Sequence, residues 1–259
     1  MITLLRDRQI EICVNEQLAQ VLKDSGLKVS KAFSDCELLI VLGGDGTILR
    51  ALEMAIPSDL PILGVNVGRI GFLAEVELGK VEHDLARVLE GDYRIDERMT
   101  MCVDGFDDSK MFALNDIVVC RATTEIRTIS LEYSANGAMI NRIFGDGLII
   151  ASTTGSTAYS LSAGGPVISP GLECFVCSPI CPHMLNVRPV VLPSSDAVTV
   201  RILDGCCAVH VVLDGRKIIP MPEGVSLTFR RSVRKARFVR VHDQNYYELL
   251  RGKLSEWTR

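Results

Sequence analysis

Along the first third of the chain, short unbroken apolar runs alternate with stretches in which apolar residues recur every three or four positions. The runs at 2–5, 36–42 and 62–67 predict strands, and the second is apolar enough to suit a strand buried on both faces. Between the first two, Asn15 stands where a side chain can cap a helix carrying Leu18, Val21 and Leu22, with Gly26 placed to end it. Thr47 takes the same capping position before Ile48, Leu49, Leu52, Ala55 and Ile56, and Val81, Leu85, Val88 and Leu89 trace a further helical face before Gly91. Strands alternating with helices need crossover connections, which make neighbouring strands parallel and the crossovers right-handed. Residues 1–95 are therefore expected to form an α/β domain with an open, mostly parallel sheet.

Beyond about residue 93 the texture changes to short β-rich runs punctuated by turn residues. Runs at 128–133 and 138–143 flank Asn136-Gly137, a pair that favours the tight turn of a hairpin. Further strands are expected at 148–152, 198–203, 209–213 and 225–229, with one helical interruption from Ser156 through Ala158, Tyr159 and Leu161. Residues 96–240 thus read as a mostly antiparallel all-β domain. The last stretch, 246–257, is helical in pattern, and 241–259 is expected to return and pack on the first domain. There is no Gly/Ser-rich linker and no repeat.

Composition narrows the function. Of 259 residues, 28 are Lys or Arg and 32 Asp or Glu, so the formal charge is 28 − 32 = −4, which argues against a nucleic-acid coat. No apolar run is long enough to span a membrane and residues 1–8 lack the pattern of a secretion signal, so a cytoplasmic protein is expected. Nine cysteines in a chain this long suggest reduced thiols rather than a disulfide framework. Cys174, Cys177, Cys181 and His183 have spacings compatible with a metal, but Pro179 and Pro182 stand among them, and core packing is the preferred reading; Cys206 and Cys207 would face opposite sides of a strand. No metal ligand set is assigned. The basic stretch Arg230, Arg231, Arg234, Lys235, Arg237 and Arg240 is read as a solvated strand face in preference to a phosphate-binding one.

Two strings carry candidate chemistry. Gly43-Gly44-Asp45-Gly46-Thr47 lies between an expected strand and an expected helix, where a Rossmann-like sheet opens a crevice and the first helical amides face whatever binds there. Glycines allow close approach of backbone to phosphate. The string is neither a Walker A loop nor a dinucleotide fingerprint. Its carboxylate is the distinguishing feature: Asp45 can take a proton from an attacking hydroxyl, or alternatively satisfy turn amides. The second string, residues 146–160, runs from Asp146-Gly147 into a loop crowded with Ser, Thr and Gly. Small side chains leave room for a planar base, and hydroxyls can meet its edge or a phosphate, although one of them would serve as an ordinary cap.

These strings, with GVNVGRIGFLAE at 64–75, LND at 114–116, DGLIIASTTGSTAYSLSAGGPVISP at 146–170, SPICPHMLNVRPVVLP at 178–193 and LDG at 213–215, resemble the NAD kinase family of bacterial and archaeal type, in the family's order and over most of the chain. GGDG alone is shared with lipid kinases and phosphofructokinases; the stretch through GSTAYSLSAGGP is the specific one. The resemblance implies phosphorylation of NAD to NADP with ATP and Mg²⁺, in a homodimer or homotetramer. By the same resemblance Asp45 matches the proposed general base for the 2′-hydroxyl of the adenosine ribose, Gly46 lies beside it at the dinucleotide, and Arg50 follows one turn on. Asn115 and Asp116 match an Asn-Glu pair that binds adenosine, with Asp here one methylene shorter. Thr157, Ala158, Tyr159, Ser160, Leu161 and Ser162 fall in the segment framing the adenine, and Asp146 matches an acid that meets the nicotinamide end, in some relatives across subunits. Arg127 aligns with a basic dinucleotide contact after a one-residue shift. Thr154 stands where the family often has Pro, and Arg216 where it often has Gln. Two other classes stay open on sequence: a lipid or polyol kinase sharing the GGDG crevice, and a dinucleotide sensor without transfer.

Overall fold

The computed structural model describes residues 1–24, 26–30, 33–68, 71–122, 128–204, 208–243 and 245–256. In chain order these form α1 (Ile2–Asp7), β1 (Cys13–Val14), α2 (Glu16–Leu22), β2 (Lys28–Val29), β3 (Leu39–Leu42), α3 (Asp45–Ala55), β4 (Ile62–Asn66), β5 (Val76–Glu77), α4 (Val81–Leu89) and β6 (Arg94–Val103). There follow β7 (Phe112–Ala113), β8 (Asp116–Arg121), β9 (Ile129–Ala135), β10 (Ala138–Gly145), β11 (Gly147–Ala151), α5 (Tyr159–Ser162) and β12 (Cys174–Ile180). The last elements are β13 (Val190–Pro193), β14 (Val198–Asp204), β15 (Val209–Leu213), β16 (Lys217–Met221), β17 (Ser226–Arg240) and α6 (Tyr246–Glu256). The chain divides into two compact units, residues 1–97 with 236–259, and residues 98–235.

In the first unit β4 pairs in parallel with β3, β5 and the end of β17, and all five of its residues are buried. The run at 36–42, expected to be buried on both faces, yields only the four residues of β3, of which Val41 alone is buried. β3 ends the strand order, so its side chains have neighbours on one side only. Residues 2–5, expected as a strand, are helix α1 instead: Met1, Leu4 and Leu5 pack at helical spacing on Leu63, Val65, Leu85 and Val88. Four apolar residues in a row fit either period, and the available core surface decides. Asn15 caps α2 as expected, its Oδ1 accepting from the Leu18 amide at 2.8 Å, but the helix ends at Lys23, in the left-handed region at φ 50°, before Gly26 is reached. Helix α3 begins at Asp45 with Gly44 in the cap position, so Thr47 lies inside the first turn, donating its amide to the Gly44 carbonyl. Its buried face, Ile48, Ala51, Leu52, Ala55 and Ile56, follows the expected stripe with Ala51 added and Leu49 only half-buried.

The basic stretch lies along β17 and is ion-paired rather than free for phosphate: Arg230 with Asp104, Arg231 with Glu173, Arg237 with Asp59. Arg240 departs from the solvated reading. It is buried, and its guanidinium donates to Asp96, Glu75 and the Leu73 carbonyl. A buried cation needs such partners to offset its desolvation.

The second unit is built from antiparallel pairings, in the orders β10-β9-β14-β17 and β13-β12-β11-β8-β15-β16. Alternate residues of both sets close on one core: Ile117 and Val119 of β8, Leu148 and Ile150 of β11, and Val211 of β15 meet Leu131 and Tyr133 of β9 and Val200 of β14. Asn136 and Gly137 turn the β9–β10 hairpin at φ 50° and 83°, as their sequence predicts. Cys174 and Cys177 are three apart on β12 and so face opposite ways, while Cys181 is exposed in the following turn. Burial pushes the Cys177 thiol up to about 12. Among the described residues no three His, Cys, Asp or Glu side chains are grouped to hold a metal. Cys206 and Cys207 lie outside the described residues, as does Trp257.

Tyr133 is wholly buried, and its hydroxyl has no hydrogen-bond partner among the described residues. An unpaired buried hydroxyl costs about 1–3 kcal/mol. Tyr133→Phe is expected to raise the melting temperature, by about 1 kcal/mol of stability; a lowered Tm in thermal denaturation would contradict it.

Candidate active site

Asp45 is the first residue of α3, where the chain turns out of β3. Its carboxylate faces residues 71–73 of the same unit: Oδ2 accepts from the Phe72 amide at 2.9 Å and Oδ1 from the Leu73 amide at 3.1 Å. Gly71 packs against it so closely that a Cβ there would lie 1.9 Å from Oδ1. The acid is therefore oriented by main chain from GFL at 71–73, a stretch noted in the sequence only as a motif. Gly46 is exposed beside it with open space around its Cα. Arg50 is exposed five residues along α3, about 140° round the axis from Asp45, so the helix does not bring the two onto one face.

In the second unit a cavity of about 360 Å³ is lined by Asn115, Asp116, Val118, Cys120, Ala158, Tyr159, Val212, Asp214 and Gly215. Its floor is the outer face of β8 and β15: Asp116, Val118 and Cys120 alternate with Ile117 and Val119, which point into the core. Tyr159 and Ala158, at the start of α5, form a wall. The loop before α5 is knitted to residues 114–116: the Ser152 hydroxyl donates to the Leu114 carbonyl, the Ser152 amide to the Asn115 carbonyl, and Gly155 lies where a Cβ would meet the Asn115 oxygen at 1.9 Å. Asp214, in the left-handed region at φ 48°, accepts from the amides of Leu114, Asn115 and Asp116 at 2.8, 2.8 and 3.1 Å. Burial, and then the charge of Asp214, push the Asp116 carboxyl up to about 7.

The structure thus brings Asn115, Asp116, Ala158 and Tyr159 together. Thr157 is half-buried with its hydroxyl on the Thr154 carbonyl, Leu161 half-buried and Ser162 exposed, none of them lining the cavity. Ser160 turns inward to Ser178, 2.9 Å away, and Ser156 bonds the Thr153 carbonyl and the Ile168 amide. Much of the hydroxyl-rich loop therefore satisfies its own backbone. Asp146 sits between β10 and β11, paired with Arg121 at 3.3 Å. Arg216 pairs with Asp214 at 3.2 Å and stacks over the Phe112 ring. Arg127 lies outside the described residues.

The ATP-NAD kinase N-terminal domain matches residues 3–93 and the ATP-NAD kinase C-terminal domain residues 114–241. The NAD kinase of Desulforamulus reducens is 36% identical over 263 residues, covering 99% of this chain and 91% of that protein. The chain belongs to the NAD kinase family. The NAD kinase of Geobacter metallireducens is 38% identical over 258 residues, 98% of this chain and 91% of that one. Among solved structures, an NAD kinase from Archaeoglobus fulgidus in complex with ATP has a TM-score of 0.77 at 28% identity, covering 95% of this chain and 99% of that one. Yeast NADH kinase complexed with NADH has a TM-score of 0.82 at 26% identity, covering 95% of this chain and 79% of that one. Within this NAD kinase family chain, sequence reasoning missed Val118, Cys120, Val212, Asp214 and Gly215 as pocket residues. For Val118 and Cys120 a signal existed, because residues two and four beyond Asp116 share its face of a strand.

Proposed function

We propose that the protein transfers the γ-phosphoryl group of ATP to the 2′-hydroxyl of the adenosine ribose of NAD, giving NADP. The observation that carries the reading is the cavity of the second unit, where Asn115 and Asp116 stand with Ala158 and Tyr159. Amide and carboxyl side chains together with a small residue and an aromatic ring suit a nucleoside better than a lipid chain. Asn115 and Asp116 take the adenosine, Tyr159 and Ala158 flank its base, and Asp146 and Arg216 serve parts of the dinucleotide farther out. Thr157, Ser160, Leu161 and Ser162 shape this segment, and Arg127, Arg50 and Gly46 remain candidates for phosphate or dinucleotide contact.

Asp45 receives the hydroxyl proton as the new P–O bond forms; the ribose oxygen takes the γ-phosphorus and ADP leaves with the electron pair of the broken bond. Mg²⁺ enters with ATP as part of that substrate and screens its charge. The protein acts in the cytoplasm as a homodimer or homotetramer, the assembly that the family resemblance implies; among the described residues no helix is long and apolar enough to cross a membrane.

Purified protein incubated with NAD, ATP and Mg²⁺ is expected to yield NADP, read by reduction with an NADP-specific dehydrogenase. No product with ATP, other nucleoside triphosphates or polyphosphate, alongside direct binding of NAD, would replace this reading with that of a sensor.

A further inference from the structure

Asp214 is a heavily engaged carboxylate of the second unit. Its side chain is fully buried, yet it lies at the edge of the cavity rather than in the sandwich core. Its two oxygens accept from three successive amides, those of Leu114, Asn115 and Asp116, and its own amide donates to the Asp116 carbonyl at 2.9 Å. One residue thus holds residues 114–116 by both their donors and one acceptor, across about a hundred positions of sequence. Ser152 holds the Leu114 and Asn115 carbonyls from the other side. Nothing in a plain β-turn requires a buried charge here; an apolar residue in the same turn would leave three amides unpaired, and a neutral amide would satisfy fewer of them.

We propose that Asp214 is a positioning residue of this pocket: its carboxylate, by gripping the three amides, fixes where the Asn115 and Asp116 side chains meet the adenosine of NAD, and it places a second carboxylate beside Asp116 at the cavity edge. The claim rests on reading the pocket as the dinucleotide site. The second half follows from proximity. Around the cavity with Asp116 stand Asp214 from the turn after β15, Cys120 from β8 and Tyr159 from α5, with Arg216 paired to Asp214 at 3.2 Å and His210 farther along the same face of β15; β11 presents Ile149 and Ala151, which carry no charge. Asp214 is the one whose charge raises the Asp116 carboxyl, second only to burial. An anionic dinucleotide meets less repulsion from a protonated Asp116, so NAD affinity falls as pH rises through the titration of that group.

Two substitutions separate holding from charge, read by calorimetric NAD binding to the full-length protein between pH 5.5 and 8.5. Asp214→Asn puts an –NH₂ against at least one main-chain N–H and removes the charge, so Kd is expected to rise about tenfold or more and the pH inflection to move down. Asp214→Glu keeps the charge beside Asp116 but, one methylene longer, loses the grip on the three amides, so Kd rises while the inflection stays. If Asp214→Asn fails to fold, a raised Kd with an unmoved inflection in Asp214→Glu still supports the proposal. Wild-type Kd and inflection in whichever of these variants fold would overturn it. Asn115→Ala is the control: if it binds NAD as tightly as wild type, the reading of the pocket fails, and the Asp214 claim fails with it.

Discussion

Asp45→Asn is expected to lower the turnover number for NADP formation by about 10²–10⁴-fold, the usual contribution of a positioned general base, with NAD still bound. A ribose hydroxyl is a weak nucleophile, so the acceptor must lose its proton as the phosphoryl group arrives, and an amide cannot accept it. The structure adds a condition. Both Asp45 oxygens accept main-chain hydrogen bonds, from Phe72 and Leu73. In the variant one of these positions becomes an –NH₂ facing an N–H, so the side chain is also less firmly held. Turnover, NAD affinity and Tm are therefore measured together. A large fall in turnover with NAD affinity within a few-fold of wild type supports the assigned role. Unchanged turnover in a folded variant removes Asp45 from the mechanism.

What the sequence made legible, and what it did not, divides along the range of the interaction that decides each feature. Asn136-Gly137, Asn15 and the stripe Val81, Leu85, Val88 and Leu89 act on their own neighbourhood, and hairpin, cap and helix stand where their pattern places them. Residues 2–5 carry too few positions to show a period, and only the surface of Leu63, Leu85 and Val88 makes them helical. The pocket follows the same division. Asn115, Asp116, Ala158 and Tyr159 were visible as motif residues, but the main-chain grip of Asp214 joins segments far apart in the chain and leaves no local pattern. The hydroxyls of Ser152, Ser156 and Ser160 looked available for ligand because sequence does not show which carbonyls a loop must satisfy for itself.

Gly71→Ala should come close to Asp45→Asn in effect without touching the acid. The added methyl would lie 1.9 Å from Oδ1, 2.4 Å from Cγ and 2.6 Å from Oδ2, and those three nearest atoms all belong to Asp45. Relief therefore comes by swinging the carboxylate off the Phe72 and Leu73 amides or by moving those amides away from it; either way a displacement of about 1 Å follows, which in a phosphoryl-transfer site costs about 10²-fold in turnover. The KM for NAD should change much less, since the cavity carrying Asn115 and Asp116 belongs to the other unit. A general loss of stability would give the same fall, so the decisive comparison is in the Asp45→Ala background, which has no carboxylate to displace. There Gly71→Ala should cost neither Tm nor residual activity, whereas next to the native acid it costs both. Equal costs in the two backgrounds would mean that the glycine serves the loop alone, and wild-type turnover in the single variant would mean that the carboxylate finds its working position without it.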